Sequence, residues 1–116
     1  MTLKKRQVGD IHLLTPQKDL RGGKETDELS AEVQEIVATG VPKIVVDLGD
    51  ITWMSSMGLS ALVRGHVSCT NRQGWFRVAR TTKKIDNLFL ITKLALVLET
   101  FETVEEALSG EHTPDK

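Results

Sequence analysis

At 116 residues the chain has the length of one domain and can bury a core without disulfide or metal staples. Hydrophobic residues make up 40% and charged residues 27%, an ordinary globular composition, and the net charge of −1 excludes the basic excess that a nucleic-acid surface needs. Cys69 is alone, which excludes an internal disulfide and a cysteine-built metal cage. No stretch has the pattern of a signal peptide. The longest apolar-rich segment, Leu88 to Leu98, is interrupted by Thr92 and Lys93 and is too short to span a bilayer. A cytoplasmic protein without membrane insertion is the expectation.

In chain order, residues 4–9 and 10–15 read as two short strands, with Val8 serving the first and Ile11, Leu13 and Leu14 the second. Gly9-Asp10 between them signals a hairpin turn. Lys4-Lys5-Arg6, like Lys83-Lys84 further on, reads as a solvated basic face. Pro16 to Gly23 is polar and ends in Gly22-Gly23, a loop. Lys24 to Ala38 carries Leu29, Val33, Ile36 and Val37 at helical spacing, and Gly40 and Pro42 follow as stop signals. Ile44-Val45-Val46 reads as a buried strand. Asp47 to Thr52 is a polar connection, and Trp53-Met54 a second apolar step with Trp53 assigned to the core. Ser55-Ser56-Met57-Gly58 then opens a helix to about Asn71, with Leu59, Leu62, Val63 and Val67 on its inner face.

Gln73-Gly74 breaks that helix. Trp75 to Ala79 is a strand in which Phe76 and Val78 point one way and Arg77 the other. Lys83 to Lys93 is a helix with Ile85, Leu88 and Phe89 inside. Leu96 to Phe101 is a last strand. Thr103-Val104-Glu105-Glu106 fits a capping box and starts a short final helix over Ala107 and Leu108. Residues 110–116 read as a loose tail. The predicted order is ββαβαβαβα: an α/β chain, one domain over residues 1–116, with a mixed, mainly parallel sheet and an N-terminal hairpin.

Enzyme templates are not met. Gly22-Gly23 lacks the spacing of a nucleotide-binding loop, no G-x-S-x-G elbow is present, and His12, His66 and His112 are scattered. His66 lies near Cys69, but two potential ligands do not make a metal site, and a partly buried structural histidine is expected. Asp47 and Asp50 fall at a strand's C-terminal edge and read as turn chemistry. No catalytic residue, metal or cofactor is assigned. Ser55-Ser56 remains. At a helix start one serine caps the free N–H groups, and a phosphate there would be accommodated by those groups and the helix dipole. It would add about −1.5 to −2 charges to the surface without refolding the chain.

The stretch Val45-Val46-Asp47-Leu48, Ile51, Trp53-Met54, Ser55-Ser56-Met57-Gly58-Leu59 resembles the STAS domains of bacterial anti-sigma factor antagonists. Their signature is a strand ending in an aspartate-rich turn, an apolar pair, then D-S-[ST]-G-[LIV] opening a helix. The resemblance extends over nearly the whole chain through Asp19, Gly74, Leu88-Phe89 and Glu105-Glu106-Ala107-Leu108. It implies that Ser56 is the phosphoacceptor and that Gly58 lets the helix approach its neighbour closely. Ser55 stands where the family usually has aspartate, and Met57 where it has a second Ser or Thr. Thr15-Pro16-Gln17-Lys18-Asp19 departs from the family's G-x-[LI]-D. The implied partner surface is Ser55, Ser56, Met57 and Gly58 with Asp19, Leu20 and Arg21. The implied function is partner switching. The unphosphorylated protein captures an anti-sigma factor that is itself a serine kinase, phosphorylation of Ser56 releases it, and a serine phosphatase restores binding. A non-phosphorylated STAS scaffold or accessory module, in a stress-sensing or lipid-transport assembly, is the alternative.

Overall fold

The computed structural model describes residues 2–111. Five strands form one sheet in the order β1 (Leu3–Val8), β2 (Ile11–Pro16), β3 (Lys43–Asp47), β4 (Trp75–Ala79) and β5 (Glu99–Phe101). β1 pairs antiparallel with β2 in the register Val8↔Ile11, and β2 to β5 run parallel. The hairpin closes through Gly9 at φ 62°, a conformation that glycine reaches without steric cost. Helices α1 (Lys24–Val37), α2 (Ser56–Thr70), α3 (Lys83–Ile91) and α4 (Val104–Ser109) complete the predicted order.

Alternation along the strands builds two cores. Leu14, Ile44, Val46, Phe76 and Val78 face a cluster that includes Leu29, Val33, Leu62 and Phe89 of the first three helices. Leu13, Val45, Ala79 and Phe101 face the other way, onto Ala107 of α4. Arg77 pins α4 there. Its guanidinium lies 3.7 Å from the Trp75 ring centroid, and Nη1 donates to the Ala107 carbonyl at 3.0 Å. The expected capping box is present at α4: the Glu106 N–H donates to Thr103 Oγ1 at 3.1 Å and the Thr103 N–H donates to Glu106 Oε1 at 3.2 Å.

Three expectations need correction. The inner face of α2 is Gly58, Leu59, Ala61, Leu62, Gly65 and Cys69, and Val67 is 47% exposed. The face is turned because its contacts use small residues: a Cβ on Gly65 would sit 2.7 Å from the Phe76 ring. Trp53 is not core but 41% exposed. The expected strand from Leu96 shortens to β5, because α3 ends at Ile91, Lys93 turns left-handed at φ 63° and Leu94–Leu96 form a 3-10 turn. The expected tail is described only to Glu111, and residues 112–116 lie outside the described residues.

Candidate functional site

Parallel strands place the loops that follow β2, β3 and β4 at one end of the sheet, where α/β folds gather their sites. Two of these loops, residues 17–23 and 48–55, are laced together. Leu20 and Met54 form an isolated parallel bridge, and the Ser55 N–H donates to the Leu20 carbonyl at 2.8 Å. Asp19 Oδ1 accepts from the N–H groups of Thr52 at 2.9 Å and Trp53 at 3.3 Å, while Gln17 Nε2 donates to Asp50 at 2.9 Å. Arg21 pairs with Asp19 at 3.7 Å and lies 5.7 Å from the centroid of the Trp53 ring. The two loops therefore present one surface to solvent.

The serines at the start of α2 have different jobs. Ser55 is the N-cap: its Oγ accepts from the Gly58 N–H at 3.3 Å and donates to the Leu20 carbonyl at 3.4 Å. Its hydroxyl is committed inside the half-buried seam. Ser56 is the first helical residue, it is exposed, and its side chain makes no hydrogen bond among the described residues. Unlike the first turns of α1, α3 and α4, the first turn of α2 carries no acidic residue. The positive end of its dipole has no carboxylate of its own first turn, which suits an added anion.

Met57 is exposed beside Ser56 and reaches across to Gly22, where a Cβ would meet its sulfur at 2.8 Å. Gly58 is buried against the first loop: a Cβ there would lie 2.6 Å from the Leu20 carbonyl oxygen and 2.8 Å from Leu20 Cβ. The close approach of helix and loop requires glycine. Leu20 itself is fully buried, so among the residues expected to touch a partner it contributes only its carbonyl, as the acceptor for Ser55. The same burial limits Gly58 to setting the helix position. Asp19, Arg21, Met57 and Ser56 remain at the surface, with Trp53 added to them.

Three supporting residues have no role assigned to them by the sequence. Arg80 donates to buried Asp47 through Nε at 2.8 Å and Nη2 at 2.9 Å, and the pair raises the guanidinium's pKa further. Asp47 also accepts from the Gly49 N–H at 2.9 Å, the expected turn chemistry, and Gly49 leaves room for the guanidinium, which a Cβ would meet at 2.3 Å. Asp47 pairs with Ala79 across the ladder, so register alone puts Arg80 one step beyond it. Gln17 is the second, through Asp50. Glu25 is the third. Its Oε2 accepts from the N–H groups of Arg21, Gly23 and Thr26 and from the Thr26 hydroxyl, closing the N-terminus of α1 that Gly23 cannot cap. The Thr26 hydroxyl, then the backbone donors, hold the Glu25 pKa down to about 2.

An open groove on the α4 side holds Asp47, Asp50 and Arg80, and these charges are paired with one another. His66 is half-buried, without a hydrogen bond at Nδ1, and Cys69 is buried, which pushes its thiol up to about 11. No group of three potential metal ligands occurs among the described residues, and none of their helices is long and apolar enough to cross a membrane.

The STAS domain family model matches residues 3–107, so the chain belongs to the STAS domain family. Its fold is shared with several solved structures. One is a candidate anti-sigma factor antagonist of Thermotoga maritima, 23% identical, covering 93% of this chain and 92% of that one at a TM-score of 0.86. The Bacillus cell-fate determinant SpoIIAA in its phosphorylated form is 14% identical over 93% of this chain and 97% of that one, TM-score 0.74. The STAS domain of a Vibrio cholerae SulP transporter is 11% identical over 90% and 83%, TM-score 0.68. Among curated proteins none matches the sequence.

Proposed function

We propose that this protein is an anti-sigma factor antagonist that works by partner switching, with Ser56 as the phosphoacceptor. The observation that carries the reading is the division of labour at the start of α2: Ser55 is bound into the cap while the Ser56 hydroxyl is exposed and unbonded among the described residues, in a first turn without an acidic residue. Unmodified, the surface of Ser56, Met57, Trp53, Arg21 and Asp19 docks an anti-sigma factor that is also a serine kinase. Trp53 and Met57 supply adaptable apolar contact, and Arg21 and Asp19 supply paired charge at its edge. Phosphate on Ser56 places about −1.5 to −2 charges at the centre of that contact. The free N–H groups and dipole of α2 hold the anion in place, so the fold persists while the partner is repelled. A serine phosphatase reverses the step. The reading is supported by membership of the STAS family and by the likeness in fold to structures of anti-sigma factor antagonists.

The test is incubation with the cognate kinase and ATP. Phosphate is expected on Ser56, lost in Ser56→Ala and retained in Ser55→Ala. Labelling of Ser55 instead, or none with any cognate kinase, overturns the assignment. The latter result would favour an accessory STAS module, the role suggested by the transporter domain that shares this fold.

A further inference from the structure

The two edges of the sheet differ. At one edge β5 is three residues long, and its Glu99 pairs with Arg77. At the other, β1 is six residues long, and among the described residues no strand pairs with its outer side. The register decides which backbone groups of β1 face outward. Val8 and Ile11 flank a two-residue turn and therefore form a hydrogen-bonded pair, and at alternate positions so do Arg6 with Leu13 and Lys4 with Thr15. The N–H and C=O groups of Leu3, Lys5 and Gln7 thus point away from β2. No hydrogen bond reaches them from the loops or side chains of the described residues.

The side chains along this edge divide by face. Lys5 turns to the α1 side and pairs with Glu32 at 3.2 Å, and Glu28 on that side accepts from the Thr2 N–H at 3.1 Å. Lys4 and Arg6 turn to the α4 side. Because α4 is only six residues long and packs on β3, β4 and β5, the β1–β2 part of that face is left as an open groove of about 1060 Å³. The acidic side chains in the groove are Asp47, Asp50 and Glu105, and all three act on Arg80: Asp47 at 2.8 Å, Asp50 at 3.7 Å, and Glu105 near enough to help raise the guanidinium's pKa. Lys4 and Arg6 are exposed and make no ion pair or side-chain hydrogen bond among the described residues. Two unpaired cations at alternate positions therefore stand beside an open strand edge. A second copy pairing there would set cations against cations, the usual defence of an edge strand. An acidic strand would be attracted by the same charges, with its Cβ atoms about 4.5–5.5 Å from those of Lys4 and Arg6.

We propose that β1 is a docking edge for an extended acidic segment of a partner protein, which adds a strand to the sheet with acidic residues at alternate positions beside Lys4 and Arg6. The backbone groups of Leu3, Lys5 and Gln7 hold the segment, and the two cations select its sequence and register. The contact uses no residue of the Ser56 surface.

The test is titration of the isotope-labelled protein with a seven-residue peptide of alternating glutamate and valine, followed by amide NMR. The amides of Leu3, Lys5 and Gln7 are expected to shift and, at saturation, to exchange at least about tenfold more slowly, while those of Lys4 and Arg6, already bonded to β2, change little in exchange. The same peptide with lysine for glutamate is expected to bind at least about tenfold more weakly, and added salt to narrow the difference. In the double variant Lys4→Glu, Arg6→Glu, which alters only exposed side chains and should keep its circular dichroism spectrum, the preference between the two peptides is expected to reverse. A glutamate peptide N-methylated at alternate residues keeps its charge but loses donors, and is expected not to bind. Failure of the glutamate peptide to bind overturns the proposal, as does equal binding of the charge-swapped or the N-methylated peptide. So do shifts confined to the Ser56 surface, or slow exchange of Leu3, Lys5 and Gln7 that appears in the free protein as its concentration rises, which would assign the edge to a second copy.

Discussion

Replacing Gly58 by alanine sets two effects of opposite sign against each other. In a helix alanine is favoured over glycine by about 0.5–1 kcal/mol, and Gly58 lies in the first turn of α2, where that gain is at the lower end. Against it, the new methyl would stand 2.6 Å from the Leu20 carbonyl oxygen, 2.8 Å from Leu20 Cβ and 3.1 Å from Met54 Cβ. The first two of these are not the ends of flexible chains, and Leu20 and Met54 are both buried and tied to each other by a backbone bridge. Forcing a methyl into such a site costs about 1–3 kcal/mol. The net expectation for Gly58→Ala is a loss of roughly 1–2 kcal/mol, a fall in Tm of roughly 5–10 °C for a domain near this size. Thermal unfolding followed by circular dichroism gives the number. Amide exchange gives the location: Ser55, whose N–H donates to Leu20, should exchange faster as helix and loop part. A variant as stable as the parent, with Ser55 equally protected, would refute the claim that helix and loop need glycine to meet.

Other outcomes follow from the same contacts. Arg80→Met leaves the buried Asp47 carboxylate with only the Gly49 N–H, and because the arginine is itself nearly half exposed the loss is expected at roughly 1–2 kcal/mol rather than the ~3–5 of a fully buried pair, measured by urea unfolding. Asp19→Asn keeps the oxygen that Thr52 and Trp53 donate to and should change little, whereas Asp19→Ala removes it and should cost about 1–2 kcal/mol and weaken partner binding. Glu25 has a folded pKa of about 2, below its ordinary 4.5. Its contribution is therefore complete above about pH 4.5 and is lost as the pH falls toward 2, so the Tm difference between parent and Glu25→Gln should shrink across that window. A difference that stays constant or grows there would contradict the capping role. Ser56→Asp should retain the parent's spectrum, with stability unchanged or raised by up to about 1 kcal/mol, since no carboxylate yet occupies that helix start.

Much of the fold was legible because the signals were local and redundant. The periodicity of Leu29, Val33 and Ile36, the Gly9-Asp10 turn and the Thr103–Glu106 capping box each point to one element, and the structure has all three. The phase of α2 was not legible, since Ala61 and Gly65 carry too little apolar surface to register in a hydrophobic pattern although they line its inner face. Nor was Trp53. Its position after an apolar strand suggests burial, but the loop is fixed by the Asp19 carboxylate and the Leu20 backbone, which belong to a different segment. The last strand was over-extended because Leu96 to Leu98 is an apolar run continuous with it in sequence, while left-handed Lys93 turns the chain into the 3-10 turn Leu94–Leu96 and the strand begins only at Glu99. The exposed serine and the glycine behind it follow from the family resemblance. The lacing by Gln17, Glu25 and Arg80 depends on which loops the parallel sheet brings together, which no local pattern reports.

The central claim is that charge on Ser56 changes recognition while leaving the architecture alone. Calorimetric titration of the cognate anti-sigma kinase with the unmodified and the Ser56-phosphorylated protein tests it directly. The account predicts tight binding by the first, a loss of at least about a hundredfold by the second, and superimposable amide spectra outside the start of α2. Equal affinities, or a phosphorylated protein whose core resonances have moved, would contradict it.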